Sequence, residues 1–324
     1  MTLLILLVGI VWACTLFTNA IEWLGCRFNL SQGAVGSVLA AVGTALPETI
    51  IPILALNAKA PQIGIGAILG APFLLGTLAM GVSGIAVYYG VFRGQRNAKL
   101  NLDVDLFIRD LKYFFMAYGM VCAATFIHSA LIKDILALGL VGFYGFYVIR
   151  TLAKKSLVES GDDLEPLLFA PKHPSPSTTL MGFQALVGVL GIIILAHLFI
   201  GQIETLAGLW HISPLIISLL IVPIATEMPE KFNSVTWILK KKDGLALANI
   251  TGAMVFQSCI PAAIGVAFTP WVLNLGGYLS MILCFASAGL IFLTVLCRRS
   301  LSAGILVLGG LFYLVFLIAR YKGL

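Results

Sequence analysis

The sequence predicts an all-α polytopic membrane protein with ten transmembrane helices, arranged as two inverted-topology five-helix repeats. Hydrophobic residues make up 60% of the 324 positions and charged residues only 10%, whereas soluble domains carry about 25% charged residues. The apolar runs are long enough for helices, since a bilayer-spanning helix takes about 20 apolar residues. A short motif also recurs in the second half of the chain at a constant offset, which indicates an internal duplication.

Ten apolar runs fit the length of a membrane-spanning helix. They lack the alternation of apolar and polar residues that is typical of transmembrane strands, and they are much longer than such strands. The predicted spans are 2–24, 31–57, 61–92, 106–127, 130–151, 179–203, 212–239, 245–268, 271–296 and 301–319.

Lysine and arginine are distributed unevenly between the two sides of this arrangement. The connections after odd-numbered spans carry fifteen of them, and the opposite side carries four, namely Lys59, Lys133, Arg320 and Lys322. Cytoplasmic loops of membrane proteins are enriched in these residues. We therefore expect the basic connections in the cytoplasm, both termini on the outer side, and the protein in the plasma (inner) membrane. The net charge of +6 then reflects topology and does not indicate a nucleic-acid partner.

A polar segment near the midpoint separates the predicted helices into two sets. Residues 153–178 are polar and contain four prolines, which is the composition of a connecting segment. We predict a first five-helix half at 1–152, a cytoplasmic linker at 153–178, and a second, inverted half at 179–324.

The internal repeat is clearest in two short segments. GTALPET (43–49) aligns with ATEMPEK (225–231) at an offset of 182 residues, which places Pro47 on Pro229 and Glu48 on Glu230. Five predicted spans separate the two copies, so the second copy crosses the membrane in the opposite direction. Inverted repeats are typical of secondary transporters, whose ion sites lie near the membrane midplane.

The repeated residues have the chemistry of a cation site. A proline within a span removes a backbone hydrogen bond, so carbonyl groups about one turn earlier, near Thr44 and Thr226, become available to a ligand. Glu48 and Glu230 supply negative charge, and hard cations such as Ca²⁺ bind carboxylate and carbonyl oxygens. A carboxylate within the membrane is costly enough that it usually has a function.

Three further polar residues are candidates for the same site. Asn249 and Gln257 lie on the small-residue helix after the second motif, and each faces either the ion path or a neighbouring helix. Glu227 is either a third carboxylate of the site or the partner of Lys231, which follows at the spacing of a helical ion pair. The predicted cation ligands are therefore Glu48, Glu230, Thr44, Thr226, Glu227, Gln257 and Asn249.

These motifs resemble those of the calcium/cation antiporter superfamily, which includes the sodium/calcium and proton/calcium exchangers. The family motif reads approximately G-T-S-x-P-E, followed some twenty residues later by G-N-x-x-G-S and then Asn or Asp. The resemblance covers essentially the whole chain and implies an exchanger-like fold that works by alternating access. It also implies that Glu48 and Glu230 are the central cation ligands, with backbone carbonyls at Thr44 and Thr226 completing the shell.

The chain departs from the family pattern mainly at side-chain oxygens that would bind sodium. Serine after the threonine is replaced in both halves, as are the serine of G-S and the later Asn or Asp. The residues at these positions are Ala45 and Glu227, Ala71 and Ala253, and Leu75 and Gln257. Calcium binding is therefore better supported than sodium coupling.

The sequence predicts a secondary antiporter that exchanges Ca²⁺ for Na⁺ or H⁺. The alternatives are a cation channel or a degenerate family member that binds cations and transports weakly. The expected partners are inorganic cations and the lipid bilayer, and no bound cofactor is expected. An intramembrane zinc hydrolase is excluded because no H-E-x-x-H motif occurs, so we predict a transporter and not an enzyme.

Overall fold

The computed structural model describes residues 2–27, 46–153, 166–173 and 175–322, and these residues form helices joined by short connections. Residues 75–79 form a π-helical turn between the helices Pro61–Leu74 and Met80–Phe92. The helices are α1 Thr2–Arg27, α2 Leu46–Asn57, α3 Pro61–Leu74, α4 Met80–Phe92, α5 Val104–Ala124, α6 Ala130–Ala153, α7 Thr178–Trp210, α8 Pro214–Leu239, α9 Asp243–Phe268, α10 Leu275–Arg298 and α11 Ala303–Tyr321.

Most of these helices have the length and composition of membrane spans. Within the described residues, seven stretches meet both criteria and two shorter apolar helices accompany them. Helix α5 carries four charged residues in its first half, which sets it apart from those nine. The seven long stretches are Thr2–Ile21, Pro61–Phe92, Ala130–Thr151, Thr178–Trp210, Asp243–Phe268, Leu275–Arg298 and Ala303–Tyr321. The predicted all-helical fold is confirmed, and the count of ten spans stays a prediction.

Helix boundaries repeat at the offset found in the sequence. Helix α2 ends at Asn57 and α8 ends at Leu239, 182 residues later. Helix α3 begins at Pro61 and α9 begins at Asp243, again 182 residues later. Proline suits a helix start because the first N–H groups have no intrahelical acceptor, and an acid there faces the positive end of the helix dipole. Different residues thus begin the two equivalent helices.

The equivalent helices of the two halves run antiparallel. Gly188 of α7 lies against Phe17 of α1, and Gly9 of α1 lies against Leu195 of α7. The same reversal relates α9 to the α3–α4 segment, because Gly265 lies against Ile68 whereas Met254, earlier on α9, lies against Gly76. This is the arrangement that an inverted duplication requires.

Two glycines bring the halves into close contact through α3 and α8. A Cβ atom at Gly66 would collide with the carbonyl oxygen of Leu215, and one at Gly70 would collide with that of Leu219. Ser218 Oγ donates a hydrogen bond to the carbonyl oxygen of Ile63 at 2.5 Å in the same contact. Small residues allow helix backbones in membranes to approach in this way. The contact locks a helix of the first half to one of the second.

Replacing Gly70 by alanine is expected to destabilise the protein by more than the about 1–3 kcal/mol that is typical of overpacking. The added methyl group meets backbone atoms of α8, which cannot rotate away. Gly139→Ala is the matched control, since nothing lies within 4 Å of a Cβ at that position of α6. The measurement is the thermal unfolding of both variants in detergent. Equal unfolding temperatures would show that α3 and α8 are not in close contact.

Several basic connections meet at one end of the helices. Arg96, between α4 and α5, forms a two-pronged ion pair with Asp243 at the start of α9, with N–O distances of 2.7 and 2.6 Å. Both side chains are buried, with 7% and 1% of their surface exposed. The α10–α11 connection joins the same end, since the Leu100 N–H donates to the carbonyl oxygen of Leu301. Connections that the sequence assigns to one membrane side therefore do lie together.

Candidate cation site

The two motif segments lie on α2 and α8, the helices related by the internal repeat. Glu48 is in the first turn of α2 and only 5% of its surface is exposed. Its carboxylate lies within electrostatic range of the Cys14 thiol on α1. Thr44 lies outside the described residues, and so does the side chain of Glu230. Of the predicted central pair of carboxylates, the structure therefore places Glu48.

Helix α8 continues through its motif, although the motif contains Pro229. It runs from Pro214 to Leu239 in one piece, and Thr226 is buried within it. The Thr226 hydroxyl donates to the carbonyl oxygen of Val222 at 3.2 Å. Its proton is therefore used in a hydrogen bond within α8. Pro229 has no N–H to donate, so the carbonyl of Ala225, four residues earlier, lacks its usual helical donor.

Glu227 contacts Lys231, as one of the two alternatives from the sequence expected, and it also contacts Gln257. Its Oε1 accepts a hydrogen bond of 2.7 Å from Gln257 Nε2 on α9. Its Oε2 lies 3.6 Å from Lys231 Nζ, one turn further along α8. Only 1% of Glu227 and 4% of Lys231 is exposed. The expected pairing of Glu227 with Lys231 is therefore present, and the role of Glu227 as a third carboxylate of the cation site stays a prediction.

Gln257 has an oxygen left over after this contact. Its Oε1 is buried and has no hydrogen-bond partner among the described residues, and the same is true of Ser258 Oγ on the next residue. A buried acceptor of this kind is costly unless a donor, water or cation meets it. Gln257 thus occupies the position of the family's Asn or Asp with one group holding Glu227 and one oxygen available to a ligand.

Asn249 lies nearer the start of α9 than Gln257 does, and it contacts the neighbouring helix α8. Its Nδ2 donates to Ser234 Oγ of α8 at 3.1 Å. Eight residues separate it from Gln257, which is about 12 Å along a helix. The structure brings Glu227, Lys231 and Gln257 together, and it places Asn249 in a different layer.

A buried carboxylate outside the motifs escaped the sequence analysis. Asp110 of α5 is buried, and its Oδ2 accepts a hydrogen bond of 3.1 Å from Thr251 Oγ1 of α9. Its Oδ1 accepts from the guanidinium group of the adjacent Arg109 at 2.9 Å. The available signal was an aspartate within the predicted span 106–127. The residue lies outside both repeated motifs, so a search for self-similarity does not find it.

The described side chains alone do not form a metal-binding cluster. Within that part of the chain, no group of three His, Cys, Asp or Glu residues lies close enough to hold a metal ion. The described oxygens that the motif segments and Gln257 supply are the carboxylates of Glu48 and Glu227, the Gln257 amide oxygen and backbone carbonyls of α8. Such a set of hard oxygen donors suits an alkali or alkaline-earth cation better than zinc or copper.

Helices of the two halves that run antiparallel, with acidic side chains buried inside, define an integral, multi-pass membrane transporter of the secondary class. The chain belongs to the sodium/calcium exchanger protein family, whose model matches residues 1–153 and 182–322. The predicted membership of the calcium/cation antiporter superfamily is thereby confirmed. Members of the family are exchangers and not enzymes, as the sequence analysis also predicted.

Two relatives cover most of the chain at low identity. The putative antiporter CaxA of Alkalimonas amylolytica is 26% identical over 274 residues, which are 83% of this chain and 80% of that protein. The inner membrane protein YrbG of Escherichia coli is 22% identical over 305 residues, which are 91% and 89% of the two chains.

Solved exchanger structures share the fold. The crystal structure of the H⁺/Ca²⁺ exchanger CAX matches with a TM-score of 0.77 at 15% identity, covering 99% of this chain and 81% of that one. The sodium-calcium exchanger NCX_Mj, soaked with 2.5 mM Na⁺ and 10 mM Sr²⁺, matches with a TM-score of 0.59 at 20% identity, covering 98% and 97%. The predicted exchanger-like fold is confirmed by these matches.

Proposed function

We propose that this antiporter exchanges Ca²⁺ for Na⁺ or H⁺ by alternating access, with the cation bound near the membrane midplane between α2 and α8. The observation that carries the proposal is the buried Glu48 on a helix whose repeat equivalent, α8, carries Glu230 at the matching position. A carboxylate that is removed from water is stabilised by a cation or by donors around it. The glutamates at these two equivalent positions carry the two negative charges that balance one divalent cation.

Oxygens of three kinds could complete the shell of the ion. Ca²⁺ takes six to eight oxygens from carboxylates, carbonyls, amides and water. Glu48 and Glu230 supply carboxylates, the Ala225 carbonyl group released by Pro229 supplies a neutral oxygen, and Gln257 Oε1 is a further acceptor. The remaining positions are available to water.

A coupling ion is needed because the departure of Ca²⁺ leaves negative charge uncompensated at the site. Two carboxylates that shared one divalent ion repel each other, and either Na⁺ or H⁺ relieves that repulsion. Ala71, Ala253 and Leu75 carry no side-chain oxygen where the family has one, which removes oxygens from the flanking sodium positions. Both coupling ions remain part of the proposal, and transport measurements distinguish them.

The antiparallel helix pairs support alternating access over a channel. Channel pores commonly have rings of equivalent groups from several subunits, whereas a single chain with inverted halves can expose one central site to each side in turn. The clustering of basic connections at one end supports the predicted orientation, with that end in the cytoplasm and both termini outside.

Purified protein in liposomes tests this proposal directly. We expect Ca²⁺ uptake when an outward Na⁺ gradient or an outward proton gradient is imposed, and none when an ionophore collapses the gradient first. Uptake driven by Na⁺ alone or by the pH difference alone assigns the coupling ion. Ca²⁺ flux that follows only its own gradient, without counter-transport, would instead indicate a channel. No flux of any divalent cation would indicate a non-transporting relative.

A further inference from the structure

The candidate site contains a positive charge of its own. Lys231 lies one residue after Glu230, and its Nζ is 3.6 Å from Glu227 Oε2 on the same helix. Both side chains are almost completely buried. A buried lysine ammonium carries a desolvation cost that opposite charge must offset, and Glu227 supplies such a charge within the motif segment itself.

The residues that build this arrangement occur only in the second half. The positions equivalent to Glu227, Lys231 and Gln257 in the first half are Ala45, Thr49 and Leu75. None of these three carries a charge. The carboxylate, the ammonium and the amide that holds the carboxylate are therefore present together in one half and missing together from the other.

Glu227 is held so that one oxygen faces the ammonium. Gln257 Nε2 binds Oε1 at 2.7 Å, which leaves Oε2 on the side of Lys231. The Nζ–Oε2 distance of 3.6 Å exceeds the about 2.7–2.9 Å of a charge-assisted hydrogen bond, so the ammonium acts on Oε2 mainly through its charge. A lysine ammonium is a compact point charge, comparable in this respect to an alkali ion.

We propose that Lys231 is a tethered cation that takes the place of a monovalent ion beside Glu227. Three glutamates of the motif segments, Glu48, Glu227 and Glu230, carry three negative charges, and Lys231 reduces the net charge to that which one divalent cation balances. The inference rests on the proposed cation site, and it makes Lys231 a determinant of how many ions the site binds. The ammonium cannot leave, so the ion that it replaces is absent from the exchange cycle.

Lys231→Met is the variant that tests the inference. Methionine is one heavy atom shorter than lysine and has no charge, so it removes the ammonium and opens the space of Nζ. Glu227 then lacks its counter-charge, and a small alkali ion from solution can take that place. We expect the unfolding temperature of this variant to rise by several degrees when NaCl replaces choline chloride at equal concentration, because a ligand that binds only the folded state stabilises it.

Three other proteins serve as controls in the same assay. The wild type keeps its ammonium, and the double variant Glu227→Gln with Lys231→Met has no charge at position 227 that needs a counter-ion. Lys240→Met removes an exposed lysine from the end of the same helix. We expect the sodium-specific rise in each of the three to be smaller than that in Lys231→Met, because sodium bound as a coupling ion stabilises all four proteins alike. The assay measures stability and needs no transport, so loss of Ca²⁺ flux in every protein would overturn the proposed function and leave this test readable.

Two results would overturn the inference. The first is a Lys231→Met variant that responds to NaCl no more than the wild type does, since Glu227 then needs no cation. The second is a Lys231→Met variant that stays unfolded in every salt. If the double variant folds in that case, no external cation replaces the ammonium. If the double variant also fails to fold, the shape of the pair is required and not its charge.

Discussion

Glu48→Gln is expected to reduce gradient-driven Ca²⁺ uptake by at least about 100-fold, which corresponds to about 2.8 kcal/mol of lost binding free energy. Glutamine has nearly the same shape as glutamate, so packing around the start of α2 is preserved. The change removes one of the two central carboxylates, and a divalent ion then faces half of the charge that would balance it. The measurement is the initial rate of uptake into liposomes at equal protein density.

Glu204→Gln is the matched control for this experiment. Glu204 lies on α7 and is exposed, so its replacement removes the same charge from the same chain without touching the motifs. We expect its uptake rate to equal that of the wild type. Wild-type uptake by Glu48→Gln would remove Glu48 from the cation site. Equal losses in both variants would mean that overall charge matters and not the position of the carboxylate.

The second large effect is expected at Asp243, the first residue of α9. Asp243→Asn should destabilise the folded protein by about 3–5 kcal/mol, the range for breaking a buried ion pair by removing one partner. Asp243 accepts two hydrogen bonds from Arg96 and a third from the Asn101 N–H at 2.9 Å. The neutral amide leaves the Arg96 guanidinium buried without its counter-charge. Thermal or denaturant unfolding of the purified protein measures the loss.

An exposed ion pair provides the comparison. Arg299 and Asp105 lie 2.7 Å apart, with side chains 57% and 70% exposed. Pairs of this kind contribute about 0–1 kcal/mol, so Asp105→Asn should change the stability little. Adding Arg96→Met to Asp243→Asn should recover part of the loss, because no unpaired charge then remains. A loss as large for Asp105→Asn as for Asp243→Asn would contradict the role assigned to burial.

Much of the fold can be predicted from the sequence, because helix length and the internal repeat can each be read directly from the order of the residues. The length of the apolar runs predicts helices, and the offset between Glu48 and Glu230 predicts both the duplication and its inversion. The ends of α2 and α8 at Asn57 and Leu239 follow the same offset. The contact of Gly70 with α8 is different, because it depends on how the two halves meet and not on either helix alone.

The site is only partly predictable for a similar reason. The sequence spacing places Glu227 and Lys231 on one face of a helix, but it does not say that Gln257 of another helix holds the same carboxylate. Asn249 carries the same kind of side chain as Gln257, yet the register between α8 and α9 directs it to Ser234. Asp110 belongs to no repeated motif, and only the packing of α5 on Thr251 gives it a partner.

The Arg96–Asp243 pair has no equivalent on the other side of the molecule. The residue that the repeat places on Asp243 is Pro61, which carries no charge. A transporter with two identical inverted halves would open to either side with equal free energy. Here the two partners belong to different halves, and separating the halves at that end breaks the pair. If the proposed alternating access holds, the pair favours the state that is closed at the basic end, and an ion must bind the other state more tightly to shift that population.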